Sequence, residues 1–195
     1  MYTMFTLRRK FAIFLAMASI GTAIFMTNNT GLVSLAERKA ANPLLEKWEG
    51  PYGGVPPFDK VKVADFKPAL EQAMEQNLGE VLLIAANKAT PTFDNTIAEL
   101  ERSGASLERL MAVYGIWSDN MSTPEFQAVE TEMAPKLSAM SDKITQNAEL
   151  FKRIEAVYSS PDKKKMTPEQ QRLTWVYYTN FVRSGAKLDS TKKAR

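Results

Sequence analysis

Apolar residues run almost unbroken from Phe11 to Met26, interrupted only by Ser19, Gly21 and Thr22. Arg8, Arg9 and Lys10 precede the run, and the polar stretch Thr27-Asn28-Asn29-Thr30-Gly31 follows it. A cationic end, an apolar run and then small residues is the layout of an export signal. Ser34-Leu35-Ala36 offers small residues at the two positions a signal peptidase reads, and Gly21-Thr22-Ala23 is a second such triplet. The pattern predicts an export signal over residues 1–36, cleaved after Ala36, and a periplasmic product. The alternative is an uncleaved inner-membrane anchor over residues 11–26, although its 16 residues fall short of the ~17 to 25 that cross a bilayer core.

Beyond the leader, residues 37–64 read as an extended lead-in, because Pro43, Pro51, Pro56, Pro57, Gly50, Gly53 and Gly54 forbid a regular helix. Residues 65–195 read as helical. The first helix spans Asp65 to Ala86, with Asp65 as N-cap, Pro68 in the first turn, and a stripe of Phe66, Leu70, Ala73, Met74, Leu78, Val81, Leu82 and Ala85. A second is capped by Asp94 and carries Ile97, Leu100, Gly104, Leu107, Leu110, Met111, Tyr114 and Trp117 over about six turns. Gly104 in mid-helix predicts a bend or a close helix approach. A third starts at Thr123-Pro124 and runs Phe126, Val129, Met133, Leu137, Met140, Ile144, with Pro135 expected to kink it. Asn147 caps a short fourth helix through Leu150, Phe151, Ile154 and Val157, ending before Ser159-Ser160-Pro161-Asp162. Thr167-Pro168-Glu169-Gln170 is a capping box opening a fifth helix through Leu173, Val176, Tyr177 and Phe181. No stretch alternates at period two for long, so the fold class is all-α, an antiparallel helical array.

Composition sharpens the functional picture mainly by exclusion. Among 195 residues there is no His and no Cys. No Ser/His/Asp or Cys/His nucleophile system, no imidazole or thiolate metal ligand, no disulfide and no lipid-modified Cys can be built from this chain. The formal charge of +3 comes from Arg8, Arg9 and Lys10, outside which 22 cations balance 22 acids. A balanced body gives no cationic face for nucleic acid. The dense basic run Lys163-Lys164-Lys165 reads as a solvated loop. The Met and aromatic positions, including Trp117, Trp175, Tyr177 and Tyr178, read as core. Glu71 with Glu75, Glu99 with Glu101, and Glu130 with Glu132 are spacings found on any solvated helix face. Without His beside them, a metal would need hard oxygen ligands converging from several helices. The sequence therefore nominates no catalytic, cofactor-binding or metal-binding residue in this chain.

Several runs are more distinctive than helical patterning requires. Asn42-Pro43-Leu44-Leu45 is followed by Pro56-Pro57-Phe58-Asp59-Lys60-Val61, Phe66-Lys67-Pro68-Ala69-Leu70, Pro91-Thr92-Phe93-Asp94-Asn95-Thr96-Ile97 and Leu100-Glu101-Arg102-Ser103-Gly104. Ala134-Pro135-Lys136-Leu137, Asn147-Ala148-Glu149-Leu150-Phe151 and Phe181-Val182-Arg183-Ser184-Gly185-Ala186-Lys187-Leu188 come later. In that order and spacing they resemble the N-terminal region of the thimet-oligopeptidase-like zinc metallopeptidases, closest to the bacterial peptidyl-dipeptidase branch, over about residues 42–195. The resemblance implies a large helical enzyme with a deep channel that admits short peptides and a zinc held by an His-Glu-x-x-His helix and a later Glu. It implies release of C-terminal dipeptides by metal-assisted hydrolysis. Those catalytic residues belong to a part of the family with no counterpart in this chain.

Two readings follow from the resemblance. In the first, the chain is the N-terminal fragment of an exported zinc peptidyl-dipeptidase: it forms part of the channel wall, is inactive alone, is truncated at Arg195 and is partnered by a missing catalytic half. In the second, it is a free-standing periplasmic helical module that binds peptides without catalysis. A helical domain of unrelated ancestry, anchored in the membrane by its leader, is a third. The first predicts that residues 37–195 alone are helical but marginal in stability or prone to aggregate, because the face meant for the missing half stays uncovered.

Overall fold

The computed structural model describes residues 42–51 and 54–188; the leader lies outside them. Six α-helices carry the described residues: α1 (Val63–Ala86), α2 (Glu99–Arg102), α3 (Ala105–Asn120), α4 (Pro124–Thr145), α5 (Ala148–Ser159) and α6 (Pro168–Arg183). A π-helical turn, Phe93–Ala98, leads into α2, and a 3₁₀ turn, Pro161–Lys165, joins α5 to α6. Among the described residues the β-pairing is one isolated antiparallel bridge, Glu49 with Val55. The fold class is all-α, as the periodicity predicts.

Helix α1 is the axis. Its N-terminal half buries Phe66, Ala69, Leu70 and Ala73 against Leu107, Leu110, Val113 and Trp117 of α3 and Phe126 and Met133 of α4. Its C-terminal half buries Val81 and Ile84 against Ile97 and Leu100, against Leu150, Phe151, Ile154 and Val157 of α5, and against Phe181 of α6. Burying each large apolar side chain contributes roughly 1.5 to 3 kcal/mol. Phe66 anchors the first cluster, meeting Phe126 edge-on at 5.0 Å between ring centres and Trp117 at 5.2 Å.

Several boundaries depart from the sequence reading. α1 begins at Val63 with Lys62 as N-cap. Asp65 sits three residues in, where its carboxylate accepts the Lys62 N–H at 2.8 Å. A carboxylate near a helix start serves the same orphan donors from either position, so the local sequence does not separate the two. Pro68 consequently lies in the second turn. Leu82 is 49% exposed, although the expected stripe includes it. At 100° per residue it stands about 160° around the helix from Phe66, so that stripe was drawn too wide. The second expected helix is broken: Gly104 adopts φ +76°, ending α2 and starting α3. A Cβ there would meet the Asn77 side chain at 2.8 Å, so the bend and the close approach to α1 are both real. Thr92, not Asp94, caps the first turn of that segment. α4 passes through Pro135 without interruption. Thr123, Asn147 and Thr167 cap α4, α5 and α6 as expected, each accepting an N–H from three residues on.

Candidate functional site

Among the described residues the most heavily bonded polar side chain is Arg153 on α5, only 6% exposed. Leu150, Arg153, Ile154 and Val157 fall at i, i+3, i+4 and i+7, so the same helical face that buries the apolar residues buries the guanidinium. One guanidinium nitrogen, Nη1, donates to the carbonyls of Asn87 at 2.6 Å and Ala89 at 2.9 Å. The other, Nη2, donates to the Asn95 Oδ1 at 2.8 Å, the Thr96 Oγ1 at 3.1 Å and the Asn95 carbonyl at 3.3 Å. Among the described residues its hydrogen-bond partners are carbonyls and neutral side chains, and carbonyl dipoles at the C-terminal end of α1 balance its charge. Burial lowers the guanidinium below its ordinary pKa, and it remains charged throughout the working pH range.

Arg153 thereby ties α5 to the segment Asn87–Thr96, and that segment is internally braced. Asn95 donates to the Thr90 carbonyl at 2.9 Å and accepts the Thr92 N–H at 2.9 Å, while Thr92 Oγ1 accepts the Asn95 N–H at 3.2 Å. Thr96 and Ile97 are fully buried. The distinctive run Pro91 to Ile97 is thus a structural joint: its Thr92, Asn95 and Thr96 side chains bond their own segment or Arg153. The run Phe181 to Leu188 has a comparable explanation. Gly185 at φ +87° closes α6, with the Ala186 N–H reaching the Phe181 carbonyl at 2.9 Å and the Gly185 N–H reaching that of Val182 at 3.0 Å.

Beside this joint lies an open cleft of about 510 Å³, lined by Glu80, Leu83, Asn87, Asn95, Glu99 and Arg102 among others. Its charged groups have partners within the chain. Glu80 accepts the Gly104 N–H at 2.7 Å and the Gln76 amide at 3.0 Å, and Arg102 pairs with Glu99 at 2.8 Å. The cleft offers amide and carboxylate hydrogen bonds to a polar ligand. Its one hydroxyl, that of Ser103, donates to the Leu100 carbonyl at 2.7 Å and not to the carboxylate of Glu80 or Glu99, so the cleft holds no paired nucleophile and base.

The remaining carboxylate pairs separate by role. Glu71 and Glu132 join α1 to α4 through Lys136, at 2.6 and 2.9 Å, and Glu132 also meets Lys67 at 2.7 Å. Hydrogen bonds from Lys67 and Lys136 hold Glu132 below the usual carboxylate range, and Glu71 followed by Glu132 raises Lys136. Glu101 accepts the Tyr177 hydroxyl at 2.6 Å, and Glu130 accepts that of Ser118. Burial, reinforced by Glu101, pushes the Tyr177 phenol well above its ordinary pKa, so it stays a donor. Trp117 is buried, but Trp175 is 38% exposed, with the Arg172 guanidinium 4.2 Å above its ring. The expectation that Trp175 is core is therefore corrected: it lies on the outer side of α6 beside Arg172. The lysine run occupies the 3₁₀ turn, where Lys163 lies 3.8 Å over the Tyr158 ring and Lys165 pairs with Asp162.

Zinc, which the resemblance implies for the family, does not fit the donors this chain owns. Zinc sites are built chiefly from imidazole and thiolate, and the sequence has neither His nor Cys. Among the described residues no three acidic side chains converge on a common point. No chemical step is assigned to a metal held by these residues.

Two curated proteins match the chain. A dipeptidyl carboxypeptidase of Salmonella typhimurium is 33% identical over 156 residues, which is 80% of this chain and 23% of that protein. A dipeptidyl carboxypeptidase of Escherichia coli is 33% identical over 154 residues, 79% of this chain and 22% of that protein. The chain therefore spans less than a quarter of the length of the curated relatives it matches. No protein-family model matches it.

Proposed function

We propose that this chain, which resembles the dipeptidyl carboxypeptidases over about four fifths of its length, is a helical, non-catalytic part of an exported zinc peptidyl-dipeptidase. In this reading the whole enzyme removes C-terminal dipeptides from short peptides, and the present helices form part of the wall of its substrate channel. The observation that carries the proposal is the combination of 33% identity over 80% of the chain with a match to only 23% of the relative. Such a match is what a piece of a much longer protein produces.

Two further features support it. The chain has no His, so the water-activating zinc site must come from residues outside it. Two of the runs that carry the resemblance, Pro91 to Ile97 and Phe181 to Leu188, are joints that fix helix ends, at Arg153 with Asn95 and at Gly185, which suits a role in shape rather than in reaction. The cationic and apolar leader supports export in this reading.

Reading the DNA beyond the Arg195 codon in all three frames tests the proposal. An open or frameshifted His-Glu-x-x-His helix signature is expected there. An unrelated gene in that position would favour the free-standing peptide-binding module instead.

A further inference from the structure

Helix α1 ends in six consecutive apolar residues, Val81-Leu82-Leu83-Ile84-Ala85-Ala86, which put apolar side chains on every side of its last turn and a half. A helix that is apolar all round is normally covered all round. Here Val81 and Ile84 face the core, while Leu82 is 49% exposed and Leu83 is 75% exposed. At 100° per residue, Gly79, Leu82, Leu83 and Ala86 all lie on the half of the helix turned away from Phe66 and Ile84. Gly79 is the second anomaly. A mid-helix Gly costs about 1 kcal/mol against Ala, and that cost usually has a packing reason. Gly104 has one, in its positive φ and its contact with Asn77, but a Cβ on Gly79 would meet nothing within 4 Å. Nothing among the described residues accounts for a Gly at that point. A neighbouring backbone drawn close against Gly79, between Leu82 and Leu83, would account for both features.

We propose that this outer face of α1, centred on Gly79, Leu82 and Leu83, is the docking surface for the remainder of the peptidase, which meets it with an apolar helix. The proposal rests on the function proposed above and specifies where the missing part sits. The choice of occupant comes from length: the curated relatives contain more than three quarters of their chain outside the matched region, against the few exposed apolar side chains available here. A second copy of this chain and the leader's own apolar run are the competing occupants.

The test uses two backgrounds. In one, this chain replaces the matching segment of the Escherichia coli dipeptidyl carboxypeptidase; in the other, the 195-residue chain is made as it stands. Each is prepared as wild type and as the double variant Leu82→Glu, Leu83→Glu. In the chimaera the double variant is expected to lose folded enzyme and peptide cleavage about tenfold or more, because two carboxylates would be buried against apolar surface. In the chain alone it is expected to keep its helical circular dichroism and to become more soluble, since both side chains already face water. Unchanged folding and cleavage in the variant chimaera would overturn the proposal. So would a wild-type chain that forms dimers the double variant abolishes, or one in which both substitutions melt the isolated helices. A wild-type chimaera that neither folds nor cleaves peptides would instead sink the functional reading, and the docking face with it.

Discussion

Arg153 shows how a single residue can hold the strongest claim on a sequence motif without doing chemistry. Its guanidinium satisfies carbonyls at the end of α1 and the side chains of Asn95 and Thr96 at once. Replacing it with Met would keep the apolar stem and strand those buried acceptors. We expect Arg153→Met to lower the unfolding free energy by about 3 kcal/mol, measured by urea denaturation, and Lys at this site to recover only part of the loss, having fewer and less planar donors. The two glycines make an opposed pair. Gly104→Ala should cost about 2 kcal/mol, from the left-handed backbone and the collision with Asn77. Gly79→Ala in the isolated chain should instead stabilise by about 1 kcal/mol, because it meets open space in an ordinary helix. Some of this was legible beforehand: Gly104 was marked by its place inside an apolar stripe, and Arg153 could have been found as a cation at i+3 between Leu150 and Val157. Its partners could not, because Asn87, Ala89 and Asn95 lie 58 to 66 residues earlier in the chain and nothing local encodes such a contact.

Elements were readable where the ends of a helix are written in side chains. Thr123, Asn147 and Thr167 each accept the predicted N–H, and Asn147→Ala should cost about 1 kcal/mol as the Leu150 N–H loses its acceptor, read from the denaturation midpoint. The misplaced starts at Asp65 and Asp94 share one cause: an acidic residue in the first turn is favourable at several positions, so its presence does not fix its register. The break at Gly104 depended on the Glu80 carboxylate taking the Gly104 N–H from 24 residues away. Packing between elements also sets a pH response. Glu132 has its folded pKa lowered by Lys67 and Lys136, so its contribution is present above the unfolded carboxylate value of 4.5 and is lost as pH falls through the lower folded value. Thermal melting should therefore shift downward in acid more for the wild type than for Glu132→Gln, with the difference shrinking in high salt because all three groups are exposed. Lys136, raised by Glu71 and Glu132, works in the opposite sense: its contribution holds below 10.5 and fades as the pH climbs past it.

At the scale of the whole molecule, two apolar clusters share α1, one with α3 and α4 and the other with α5 and α6. The uncovered face at Leu82 and Leu83 keeps the isolated chain marginal in stability or prone to non-specific aggregation, without a defined dimer. A clean monomer with a sharp, high melting transition would count against an incomplete fold. The all-α architecture was legible because apolar spacing and caps recur along the chain; which face was left uncovered was not, since Leu82 reads like any core leucine until α5 and α6 take the opposite side. The account's central claim is that these helices work as part of a larger enzyme, and the intact mass of the native protein, captured from cells with an antibody against residues 42–195, tests it most directly. The account predicts a species several times heavier than this chain that carries zinc and releases dipeptides from short peptides until chelated. A metal-free species matching residues 37–195 would contradict it.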